Sequence, residues 1–216
     1  MADIDPKLVM QLREKTGAGM MDCKKALTEA NGDLEEAIVV LRKRGMATAA
    51  KKATRTTSEG VVASYIHAGG KIGVLLEVNC ESDFVARTTE FLGLLHDISM
   101  HIAAVDPRYI RKEDVTPADM EREKDIYMAQ AMASGKPANI AEKMVTGKMA
   151  KFYEEVCLLE QPFIKEQGIT ISQLIATVIG KLGENISVRR FARFKVGEAT
   201  ETIAVTKPQA AAEAAE

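Results

Sequence analysis

The sequence predicts an α+β protein, with a small N-terminal three-helix module followed by helices packed on a small antiparallel sheet. Apolar residues recur at three- and four-residue steps through the first fifty positions: Leu8, Leu12, Cys23, Ala26, Leu27, Leu34, Ala37, Ile38 and Leu41. Two β-rich runs, 61–66 and 72–78, flank the Gly-rich segment His67-Ala68-Gly69-Gly70-Lys71, which is a hairpin pattern. Beyond the hairpin, helical periodicity returns repeatedly before a last alternating run.

The element breaks are chemically explicit. Thr16-Gly17-Ala18-Gly19 offers two glycines for a turn between the first two helices, and Asn31-Gly32-Asp33 supplies a left-handed stop followed by an N-cap. The polar run from Lys51 to Gly60 lacks apolar periodicity and reads as a linker. After Asn79-Cys80-Glu81-Ser82-Asp83-Phe84-Val85, read as a loop leaving the second strand, the residues Phe91, Leu92, Leu94, Leu95, Ile98, Ile102 and Ala103 mark an amphipathic helix closed by Pro107. Thr116 before Pro117 caps the next helix, which runs to about 133 and stops at Ser134-Gly135-Lys136-Pro137. Another helix is predicted over 139–155, and Leu174, Ile175, Val178, Ile179 and Leu182 give one more before Gly183. Residues 186–196 alternate as a final strand, and the Ala-rich end is low-complexity. The expected division is a module at 1–52, a linker at 53–60, an α+β core at 61–200 and a tail at 201–216.

Composition narrows the function classes. Of 216 residues, 29 are Lys or Arg and 31 are Asp or Glu, a net charge of −2, so no global field draws the chain onto nucleic acid or anionic lipid. Neither a membrane span nor an apolar signal core is encoded. The three cysteines, Cys23, Cys80 and Cys157, are odd in number and in no metal-binding spacing, which points away from a disulfide framework or a zinc site and toward the cytoplasm, and no cofactor is expected. Histidines 96 and 101 are five apart, off the shared face that paired ligands need, and a solvated or partly packed role is expected for each. Arg189, Arg190, Arg193 and Lys195 form a basic strand edge that could touch RNA or simply guard the edge.

Two features suggest protein binding. Met20 and Met21 are adjacent just after a Gly turn, so helical geometry can bury only one of them fully. Phe84 follows a carboxylate at a strand exit. Spacing leaves it open whether that side chain belongs to the core or projects as a wedge.

The chain resembles the bacterial elongation factor Ts family in LREKTGAGMMDCKKALTEANGDLEEAI (12–38), VNCESDFVAR (78–87), SGKPANIAEKMVTGKM (134–149), EQPF (160–163) and GENISVRRFARFKVGE (183–198). These long motifs stand in the family's order over almost the whole chain. The resemblance implies that the first three helices form a ubiquitin-associated-like module. It also implies a guanine-nucleotide exchange factor, not an enzyme, that acts on the translational GTPase elongation factor Tu, in its GDP-bound and nucleotide-free forms. By the same resemblance, Arg13, Met20 and Met21 contact the partner's nucleotide-binding domain, and Ser82, Asp83, Phe84 and Val85 dislodge its Mg²⁺. The chain carries one hairpin-plus-SDFV segment where longer members carry two, which implies a homodimer joined through its core. The competing reading is an adaptor that binds through the N-terminal helices, with Phe84 in the core.

Overall fold

The computed structural model describes residues 4–133 and 137–198. The predicted stop at 134–136 and the tail at 201–216 lie outside them. Helix α1 (Pro6–Thr16) opens with Pro6 in its first turn and the Asp5 carboxylate accepting from the Lys7 N–H, and ends on left-handed Gly17. Helix α2 (Met20–Glu29) gives way to Asn31 and Gly32, both at positive φ, before Asp33 caps α3 (Leu34–Lys52) by accepting from the Glu36 N–H at 2.8 Å. Val9, Leu12, Cys23, Ala26, Leu27 and Ala37 close on one another as the core of these three helices. Lys51 and Lys52 belong to α3, so the polar run that begins at Lys51 is helical at its start.

Strands β1 (Glu59–Ile66) and β2 (Ile72–Cys80) form the antiparallel hairpin, and β5 (Ile186–Lys195) pairs antiparallel on the other side of β2, giving the order β1-β2-β5. The pleat sends Val74, Leu76, Val78 and Cys80 inward. Against that face lie α5 (Thr89–Val105), through Phe91, Leu94, Leu95, Ile98 and Ile102, and α8 (Ile171–Leu182), through Ile171, Ile175 and Ile179. Each large side chain removed from water here contributes about 1.5–3 kcal/mol. Between β2 and β5 the register shifts at Glu77/Val78: Glu77 faces Arg190 and Val78 faces Val188, so Arg189 is an extra residue in a β-bulge.

Two long helices, α6 (Pro117–Ala133) and α7 (Ala138–Val156), pack on each other and keep a small cluster of their own around Val115, Phe152, Val156 and Cys157. A short hairpin of β3 (Pro162–Phe163) and β4 (Glu166–Thr170), absent from the sequence reading, leads into α8. The Thr170 hydroxyl accepts from the Gln173 N–H at 3.3 Å while the Gln173 amide oxygen accepts from the Thr170 N–H at 3.0 Å, a complete capping box. Helix α3 crosses α8 where both are lean: a Cβ on Gly45 would lie 3.3 Å from the Ala176 carbonyl oxygen, and one on Gly180 would lie 3.5 Å from Gly45 Cα. The N-terminal helices therefore lean directly on the core.

His101 departs from the expected role. It is fully buried on α5, and Gln161 fixes its tautomer. The Gln161 amide nitrogen donates to the Glu155 carbonyl at 2.7 Å, which turns its oxygen toward His101 Nε2 at 2.9 Å, so Nε2 carries the hydrogen. His96 is exposed.

Candidate functional site

The segment expected as a loop is a single helical turn, α4 (Asp83–Ala86). Ser82 caps it from an extended conformation, its hydroxyl accepting from the Val85 N–H at 3.4 Å. A turn of four residues is too short to announce itself by periodicity, which is why the sequence reading missed it. The turn splits its side chains by direction. Val85 and Ala86 are buried in the core, whereas Phe84 is 82% exposed. Asp83 pairs with Arg87 one turn on, at 2.9 Å. The Thr88 hydroxyl donates to the Val85 carbonyl at 2.8 Å and accepts from the Phe91 N–H at 3.2 Å, so α4 ends where α5 is capped.

The turn is also held from the far end of the chain. Gly183 ends α8 in the left-handed conformation, φ 76°, and turns the next two residues toward the exit of β2. One carboxylate oxygen of Glu184 accepts from the Ser82 N–H at 2.9 Å, and the other accepts from the Ser82 hydroxyl at 2.6 Å. In return the Glu81 carboxylate accepts from the Asn185 N–H at 2.6 Å. The Asn185 N–H, with Arg55 behind it, holds the Glu81 carboxyl below its usual range. The Asn185 side-chain amide donates to the Arg55 carbonyl at 2.8 Å, and Lys52 Nζ donates to the Gly183 carbonyl, which ties in the segment after α3. Glu81, Glu184 and Asn185 were not singled out from the sequence. Their partners lie more than a hundred positions away, and no local pattern marks them.

Arg13, Met20 and Met21 sit apart from that turn, on α1 and α2. Both methionines are exposed, although only one was required to be, and Met10 on α1 is exposed as well. Cys23 and Leu27 on α2 point the other way, into the module's core. Gly19 caps α2 through its backbone, without a side chain at the site.

A cleft of about 870 Å³ between α3 and α8 intersperses Lys15, Arg42, Arg44 and Lys181 with Asp22, Glu35 and Glu166. Among the described residues, no group of three His, Cys, Asp or Glu could hold a metal ion, and no helix is long and apolar enough to cross a membrane.

A family model described as Elongation factor TS matches residues 3–198. The chain belongs to the elongation factor Ts family. It is similar to elongation factor Ts of Koribacter versatilis, 73% identical over 205 residues, covering 95% of this chain and 94% of the relative. The relative from Solibacter usitatus is 64% identical over 199 residues, covering 92% and 94%, and that from Carboxydothermus hydrogenoformans is 59% identical over 195 residues, covering 90% of each. Membership places the chain among the elongation factors of protein biosynthesis, and the exposed Phe84 lies inside the matched span.

Proposed function

We propose that this member of the elongation factor Ts family is a guanine-nucleotide exchange factor for elongation factor Tu, engaging its GDP-bound form, displacing Mg²⁺ and promoting GDP release. The observation that carries the reading is Phe84: a large aromatic held 82% exposed on a turn whose other apolar residues are buried. Exchange needs no covalent step. A protein that binds the nucleotide-free GTPase more tightly than the loaded one weakens nucleotide binding by the same factor. Mg²⁺ demands near-ideal octahedral geometry, so a small displacement of the loops around it costs affinity.

In this reading Phe84 enters the partner's cleft, Asp83 redirects hydrogen bonds beside the metal-binding loops, and Ser82 and Val85 fix the turn. Arg13, Met20 and Met21 dock the N-terminal module, assigned to 1–52, on the nucleotide-binding domain. The linker is taken as 53–60 and the core as 61–200. The core is also the proposed dimerisation unit: Val62, Ile66, Leu75 and Phe194 are exposed on the outer side of the sheet, an apolar face that a two-fold axis would set against its own copy. The adaptor reading needed Phe84 in the core, and its exposure removes that support.

The test is release of a fluorescent GDP analogue from elongation factor Tu on adding this protein, with and without Mg²⁺. The reading requires strong acceleration with Mg²⁺ and a smaller ratio after chelation, when release is already fast. No acceleration in Mg²⁺ overturns it.

A further inference from the structure

We infer that Glu184 is a positioning residue for exchange, acting through Ser82 to fix the direction in which Phe84 projects; this rests on the exchange reading above. A side chain that stands in solvent has no neighbours to hold it, so its aim is set by the backbone beneath. That backbone is one turn long, and a turn so short is marginal without help at its ends. The usual help is a capping box, in which the third residue of the helix returns a carboxylate or amide to the N–H of the cap residue. In α8 this chain builds one from Thr170 and Gln173. In α4 the equivalent position is Val85, which is buried and anchors the turn to the core, so it cannot serve. Glu184, 102 positions away, supplies the missing half. It takes the Ser82 N–H at 2.9 Å, as a local box would, and also takes the Ser82 hydroxyl proton at 2.6 Å, which leaves the oxygen's lone pairs free for the Val85 N–H. Charge-assisted bonds of this kind are about twice as strong as neutral ones.

The placement of Glu184 is itself secured. It lies between left-handed Gly183, whose carbonyl accepts from Lys52, and Asn185, which is bonded to Glu81 and Arg55. The cap of the Phe84 turn is therefore a junction of the β2 exit, the end of α8 and the segment leaving α3. Position 184 requires two acceptor oxygens. Gln offers one oxygen and two hydrogens, and Ala neither.

The experiment is a double-mutant cycle read by GDP-analogue release from elongation factor Tu in Mg²⁺. Its members are the full-length wild type, Glu184→Ala, Phe84→Ala and the double variant, with Glu184→Gln as a second single. Glu184→Ala is expected to lower the maximal release rate roughly tenfold, the equivalent of one or two charge-assisted bonds, with the half-saturating concentration within twofold of wild type. Glu184→Gln falls between Ala and wild type. In the Phe84→Ala background, Glu184→Ala changes the rate by less than twofold. Glu184 variants that exchange at the wild-type rate, or an equal loss in both backgrounds, would overturn the inference, the second by showing general destabilisation. Wild type without exchange activity would instead reject the reading on which the inference stands.

Discussion

Phe84→Ala separates folding from function. At 82% exposure the ring gives the folded chain almost nothing, so its removal belongs with surface substitutions, within about 0.5 kcal/mol of wild type. For a chain of this size that is a shift in melting temperature of about 2 °C or less. Inside a partner's cleft the same ring would be buried, a gain of about 1.5–3 kcal/mol. If that burial occurs only where the nucleotide site is loosened, the whole amount is coupling free energy. Its loss then lowers the acceleration of GDP release by a factor of about 10–150, at about 1.4 kcal/mol per decade. Stopped-flow release of a fluorescent GDP analogue measures this, with a thermal melt on the same sample. A variant that exchanges within twofold of wild type would refute the wedge. A melting temperature lowered by several degrees would refute the claim that Phe84 has no folding role.

Other substitutions probe the scaffold. In β1, a Cβ on Gly60 would lie 2.3 Å from the Val78 carbonyl oxygen and 2.7 Å from Asn79 Cα, both backbone, so Gly60→Ala should cost at least about 3 kcal/mol in a urea titration. Gly45→Ala should stay near wild type, since about 1 kcal/mol of helix propensity offsets the tight 3.3 Å approach to Ala176, whereas Gly45→Leu should lose about 1–3 kcal/mol as α3 is pushed off α8. Burial pushes the His101 pKa below its ordinary 6.5, only partly countered by Gln161, and its Nδ1 has no partner among the described residues. The unfolded chain therefore takes up the proton first. The contribution is fully present above about pH 6.5 and is lost as pH falls from there through the lower folded value; His101→Gln should flatten that slope in melts between pH 7 and 5. All three cysteines are buried, and desolvation raises the Cys157 thiol to about 11, so iodoacetamide at pH 8 should leave Cys157 unmodified until denaturant is added.

How legible each part was depended on the reach of its causes. The α1–α2–α3 turns at Gly17 and at Asn31-Gly32-Asp33, the Gly69-Gly70 hairpin and the buried stripe of α5 are local, with a residue and its structural reason within a few positions of each other. The α4 turn was not legible because four residues carry no period. The β3–β4 hairpin was missed because its apolar residues, Phe163 and Ile169, are too few to alternate. Phe84 could have gone either way on spacing. What decides its direction is that Val85 and Ala86 take the core side of a turn whose cap is completed from position 184. His101 was expected to be solvated or partly packed, since nothing near it in sequence shows that Gln161 would meet it in the interior.

The bulge at Arg189 has a consequence for how the chain tolerates changes of length. On either side of it β5 faces β2 correctly, with Ile186 and Val188 inward before it and Phe191 and Arg193 on the inner side after it. Removing Arg189 would leave a strand that alternates without interruption, so both halves keep their faces. Arg190 is the same residue type, so removing either arginine gives the same strand, whereas a deletion at Val188 or Phe191 would seat an arginine at an inward position. At Arg189 the chain holds a spare beat, where one residue can come or go and the sheet still reads the same.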